Sequence, residues 1–149
     1  MDQQELINKW GKVREGTIWI LDQVDDQQLA YAPKEWLWSF GRTVRHIAEI
    51  ESGWIGHVLE GRLDDWPIYT APERDTTELC KGLLARTHSE SIRCLAGLRA
   101  DEWSTARKMK WDETLSPADI AWHVMQHEMH HRGEISLMLG LLGLEGWQA

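Results

Sequence analysis

Basic charge is scarce in this chain of 149 residues: sixteen lysines and arginines stand against twenty-four aspartates and glutamates, for a formal net charge of −8. Nucleic acid and anionic membrane surfaces attract proteins with a basic footprint, so neither is expected as a partner. No apolar run approaches the eighteen or so residues that a membrane span needs. The opening Met1-Asp2-Gln3-Gln4-Glu5 lacks the basic and apolar regions of a secretory leader, which predicts a cytoplasmic protein. There are two cysteines, Cys80 and Cys94. On one helix their fourteen-residue separation is about 21 Å, well past the roughly 7 Å Cα limit for a disulfide. They read as packing thiols in a reducing compartment. Phenylalanine occurs once and tyrosine twice, so ten tryptophans supply the aromatic bulk as core and loop anchors. Repeats and low-complexity tracts are absent, and the length suits one domain over residues 1–149.

What the chain has in plenty is histidine in one place. Four of its seven histidines fall between Ser116 and Ile135. Ser116 suits an N-cap, Pro117 the first helical position and Asp119 the capping-box position, and Gly143 offers a stop after about Leu142. At helical spacing Ile120, His123, Val124, His127, His131, Glu134, Ile135, Met138 and Leu142 share a side, which puts histidines inside the apolar stripe. Buried imidazoles need partners for both ring nitrogens, and a metal ion supplies one to several at once. His127 and His131 are four residues apart, about 6 Å along the axis, close enough to share an ion. By spacing alone His123 with His127 is the competing pair, while His130 points roughly 60° away, towards the surface or behind the ligands.

Three further helices are predicted. The first runs from Gln3 to Val24 on Leu6, Trp10, Val13, Thr17, Ile20, Leu21 and Val24. The second starts near Ser39 to Thr43 and runs to Leu59 on Val44, Ile47, Ile50, Trp54, Ile55 and Val58, with Glu51 interrupting the stripe. The third begins at Asp75-Thr76-Thr77-Glu78, carries Leu79, Leu83, Leu84, Thr87, Ile92, Leu95 and Leu98, and ends near Gly97. The stretches 25–38, 63–75 and 99–115 read as irregular connections, longer than a simple up-and-down bundle requires. The fold expected is all-α, a four-helix bundle with long inter-helix connections, some of them crossovers or loops that roof a site. A third ligand must come from another helix. His46, His57 and His88 are the candidates, and periodicity does not choose among them.

The segments His127-Glu128-Met129-His130-His131-Arg132-Gly133-Glu134-Ile135 and His46-Ile47-Ala48-Glu49-Ile50-Glu51, the latter followed by Trp54, resemble the signatures of the DinB-like (YfiT-like) superfamily of metal-binding four-helix bundles. The resemblance implies that His46, His127 and His131 hold one divalent ion, zinc or nickel, with coordination positions left open. It also implies homodimers and an activity on small molecules, with a low-molecular-weight thiol such as bacillithiol, mycothiol or glutathione meeting an electrophilic substrate in a transferase or isomerase. Where the family often has glutamine, this chain has Glu134, a carboxylate able to ligate, orient a histidine or bind a proton. Glu134, His130 and Glu128 are thus candidates to stand behind the ligands, and no catalytic acid or base is nominated.

Two other readings compete. His127-Glu128-Met129-His130-His131 satisfies the His-Glu-x-x-His pattern of zinc peptidases, with Glu128 as general base. No histidine follows His131 to complete it, which makes Glu128 a solvent-facing residue or one behind the ligands. A non-catalytic metal-binding stress module acting through assembly is the other. Trp122, Met125, Met129 and Leu139 form a second apolar strip near Gly133, Ser136 and Gly140, and a two-faced helix favours a homodimer.

Overall fold

A computed structural model describes residues 1–145. Its long helices are α1 (Gln3–Leu21), α2 (Phe40–Glu51, continued by a π-helix over Ser52–Leu59), α3 (Thr77–Ala96) and α5 (Pro117–Leu141). Side-chain caps set their starts: Asp2, Ser39, Thr76 and Ser116 each accept a backbone N–H in the first turn. Ser116 and Asp119 complete a capping box, with Pro117 at the first helical position. The α5 end is set by Gly143, whose φ of +78° is a left-handed conformation that glycine adopts without penalty. The first helix ends at Leu21, three residues short of the Val24 expected from periodicity.

α1 packs on α5 and α3, and α2 packs on α3 and α5, so the four close into a ring with α1 diagonal to α2 and α3 diagonal to α5. The fold is an all-α four-helix bundle. Two of its long connections cross a diagonal, which accounts for their length. The 22–39 connection carries a 3₁₀ turn at Asp26–Ala30 and reaches over the end of the bundle. The 97–116 connection, read from sequence as irregular, holds a short α4 (Ala100–Ser104) and a two-residue hairpin, β1 (Arg107–Lys108) paired with β2 (Thr114–Leu115).

The core is two apolar clusters with a polar layer between them. One gathers Ile20, Leu21, Phe40, Val44, Ile47, Leu84, Ile135 and Leu139; the other gathers Leu6, Trp10, Ile55, Leu95, Trp103, Ile120, Val124 and Met125. Between them along the helices stand Arg14, Glu51, Thr87 and Glu128, all buried. Some stripe positions face outward instead: Leu79, Trp122 and Met129 are exposed, as are Trp36, Trp38, Trp66 and Trp111, so only part of the tryptophan set is buried anchor. Trp147 lies outside the described residues. Cys80 and Cys94 are both free thiols. Among the described residues no helix is long and apolar enough to cross a membrane.

Candidate metal centre

α2 and α5 lie side by side, and the structure brings His46, His127 and His131 together across that seam. His127 Nε2 is 3.2 Å from His46 Nε2 and 3.0 Å from His131 Nε2. His131 is buried; His46 and His127 are partly open. The other candidates stand elsewhere. His57 Nδ1 bonds the Leu63 carbonyl, His88 Nδ1 faces Glu51 at 3.2 Å, and His123, exposed, sits edge-on to Trp54.

The far nitrogens of two of the three rings are held by carboxylates. His131 Nδ1 is 2.6 Å from Glu134 Oε2, and His46 Nδ1 is 3.3 Å from Glu49 Oε2. A nitrogen facing a carboxylate carries the proton, so neutral His46 and His131 present bare Nε2 lone pairs to the seam. Glu49 is buried and fixed at both oxygens, accepting from Arg42 at 2.9 Å and from the Tyr69 backbone N–H at 2.8 Å. Arg42 in turn lies over Trp38, 4.6 Å from its ring centre, and Trp38 meets the rings of His46 and His131. Glu134 is also 3.1 Å from Nε2 of the exposed His130, so it links the two histidines from the solvent side.

This arrangement fits a cation. His127 Nε2 can donate a proton to at most one neighbour, so at least one Nε2 contact sets lone pair against lone pair. Protonation is no remedy, because burial and then the neighbouring His131 and His46 push the His127 pKa down to about 3. Burial lowers that of His46 too, against the pull of Glu49. A divalent ion among the three nitrogens removes the repulsion. Nitrogens at about 2.0–2.1 Å from a tetrahedral zinc stand about 3.3 Å apart, close to the spacing seen here.

Glu128 does not face solvent. It is 1% exposed and points at α1, where it accepts from Arg14 Nε at 2.7 Å, Trp10 Nε1 at 2.8 Å and Thr17 Oγ1 at 2.7 Å. Both oxygens are engaged there, which leaves the His-Glu-x-x-His reading without its general base. Glu49 is the residue that sequence reasoning passed over. Its signal was present, since Glu49 follows His46 by three residues just as Glu134 follows His131.

The DinB family model matches residues 1–148. The chain belongs to the DinB family. Among solved structures, a DinB-like protein of Bacillus subtilis is 15% identical with a TM-score of 0.78, covering 97% of this chain and 96% of its own. A DinB-like protein of Bacillus cereus is 16% identical with a TM-score of 0.76, covering 100% and 99%. The mycothiol-dependent maleylpyruvate isomerase is 14% identical with a TM-score of 0.64, covering 93% of this chain but 66% of that one. At such identities the likeness is one of fold. Among curated proteins nothing matches. In DinB terms, His46 comes from the second long helix of the bundle and His127 and His131 from the last.

Proposed function

We propose that this DinB protein holds one divalent ion, zinc or nickel, through His46, His127 and His131, and uses it in a transferase or isomerase reaction between a low-molecular-weight thiol and an electrophilic carbon. One observation carries the reading: three imidazole Nε2 atoms converge, two of them with their Nδ1 atoms backed by carboxylates. An ion held by three neutral ligands keeps its full charge and an open position, and it acidifies a thiol or water that reaches it. Glu49 and Glu134 fix the tautomer and orientation of His46 and His131. Trp38 packs against the rings of His46 and His131 at the edge of the seam. In the transfer the thiol S–H proton is lost to solvent, the sulfur lone pair forms the S–C bond, and the displaced group leaves with the electron pair of the bond it breaks. The thiol dependence of the maleylpyruvate isomerase of like fold supports the choice of thiol over water.

Two free cysteines suit the cytoplasm, where we place the protein. Of the second apolar strip expected on α5, Met125 and Leu139 are buried within the bundle; we also propose a homodimer on the two members left exposed, Trp122 and Met129. A monomer by light scattering at micromolar concentration overturns that part.

Elemental analysis of untagged protein tests the centre. About one ion per chain is expected, lost in His46→Ala and retained in His57→Ala. Thiol-dependent turnover must vanish on chelation and return with the ion; turnover indifferent to the metal overturns the mechanism.

A further inference from the structure

Next to the histidines the 31–39 connection and the second half of α5 enclose a cavity of about 340 Å³, a size that holds a small organic molecule. His131 and Glu134 form its inner edge, and Trp36, Leu37, Trp38 and Leu137 its walls. Those four walls are large apolar side chains left open to water, with Trp36 at 74% and Leu137 at 65% exposure. So much apolar surface gathered at the mouth of a polar site is the mark of a ligand surface.

Charge narrows the ligand further. Among the described residues no lysine or arginine lines the cavity, and Glu134 is the one carboxylate there. Arg42, beside the lining Thr43, is engaged over the face of Trp38 and with Glu49. In the metal-free chain a carboxylate or phosphate entering here would lose its hydration and meet the Glu134 carboxylate, with no lysine or arginine among the described lining residues to pair with it. An uncharged ring would bury its faces on Trp36, Trp38 and Leu137 and lose nothing polar.

We infer that this cavity seats an uncharged, ring-bearing carbon skeleton, and that it is the part of the site which receives the electrophilic substrate. The second half of that statement rests on the proposed function. It follows that the part of the electrophile seated in the cavity is uncharged and carries a ring.

The test uses benzamide and benzoate, which share a shape and differ in charge. They are titrated into the full-length chain after chelation, so that benzoate is not drawn to an ion, and the indole N–H signals of Trp36 and Trp38 are followed by NMR. Trp36→Phe and Trp38→Phe assign those signals. Benzamide is expected to shift both, with benzoate at least tenfold weaker. Leu137→Glu, at a position exposed enough to leave the melting temperature unchanged, is expected to weaken benzamide at least tenfold. Equal binding of the two probes, or no shift at either tryptophan, overturns the inference. A chain that binds benzamide but retains no ion in elemental analysis leaves the cavity as described and overturns the proposed function instead. A chain that holds its ion but ignores benzamide does the reverse.

Discussion

Glu49 and Glu134 perform one task on two helices: each stands three residues after a histidine and accepts the hydrogen bond of its Nδ1–H. Groups that orient metal-bound histidines typically account for about 10–100-fold in affinity. Glu49→Ala is therefore expected to weaken zinc binding by about that factor, measured by competition with a chromophoric chelator. Glu134→Gln keeps an acceptor oxygen for His131, so a smaller loss is expected than for Glu134→Ala. The histidines also give metal-free protein a pH signature. His127 stays neutral in the folded chain down to about pH 3, whereas an unfolded histidine titrates near about 6.5. Between those values the unfolded state binds more protons, so the histidine's contribution to stability falls as pH falls. Melting temperatures taken in chelator from pH 7 to pH 4 are expected to drop less steeply for His127→Asn than for the wild type. Parallel curves would show that His127 takes up its proton equally readily in both states.

At the scale of elements, the helices were legible because their caps and apolar periods agree. Asp2, Ser39, Thr76 and Ser116 lie where the hydrophobic stripes begin. The π-helix over Ser52–Leu59 was not legible, because its apolar residues also fit an α-helical period over so short a span. The connections were legible as connections only. The hairpin at Arg107–Lys108 and Thr114–Leu115 is too short for an alternating pattern to register. One glycine ties the π-helix to the connection that follows it. A Cβ on Gly53 would come within 2.4 Å of the Trp66 indole, a contact that no real side chain makes. Gly53→Ala must displace that ring, at a cost of about 1–3 kcal/mol by urea denaturation. With Trp66 first reduced to alanine, the same substitution is expected to cost far less, and an unchanged cost would mean the strain lies in the π-helix backbone.

For the whole molecule the organising feature is the polar layer, since it joins all four long helices. Arg14 of α1 reaches Glu51 of α2 at 2.6 Å, the Leu84 carbonyl of α3 at 2.6 Å and Glu128 of α5 at 2.7 Å. Sequence exposed one part, Glu51 interrupting an apolar stripe, but partners 37 and 114 positions apart cannot be matched without the fold. Histidines four apart announce a shared site; a lone arginine on a stripe does not. Burial by itself would raise the pKa of Glu51, yet Arg14 and His88 outweigh it and hold it below the ordinary value. Arg14→Met leaves Glu51 and Glu128 buried without their cation, at an expected cost of about 3–5 kcal/mol at neutral pH. The pH dependence distinguishes this electrostatic loss from a packing defect. In the wild type the depressed Glu51 pKa gives stability that is present above the unfolded value and lost as pH falls. Without Arg14 burial wins at Glu51, its carboxyl titrates above the unfolded value, and the penalty is relieved as pH falls because the folded state now takes up the proton. Urea denaturation of both proteins at pH 7 and at pH 5 should show the gap between them narrowing at the lower pH. A gap that stays constant would mean that the layer is held by its hydrogen bonds and shape, with the guanidinium charge contributing little.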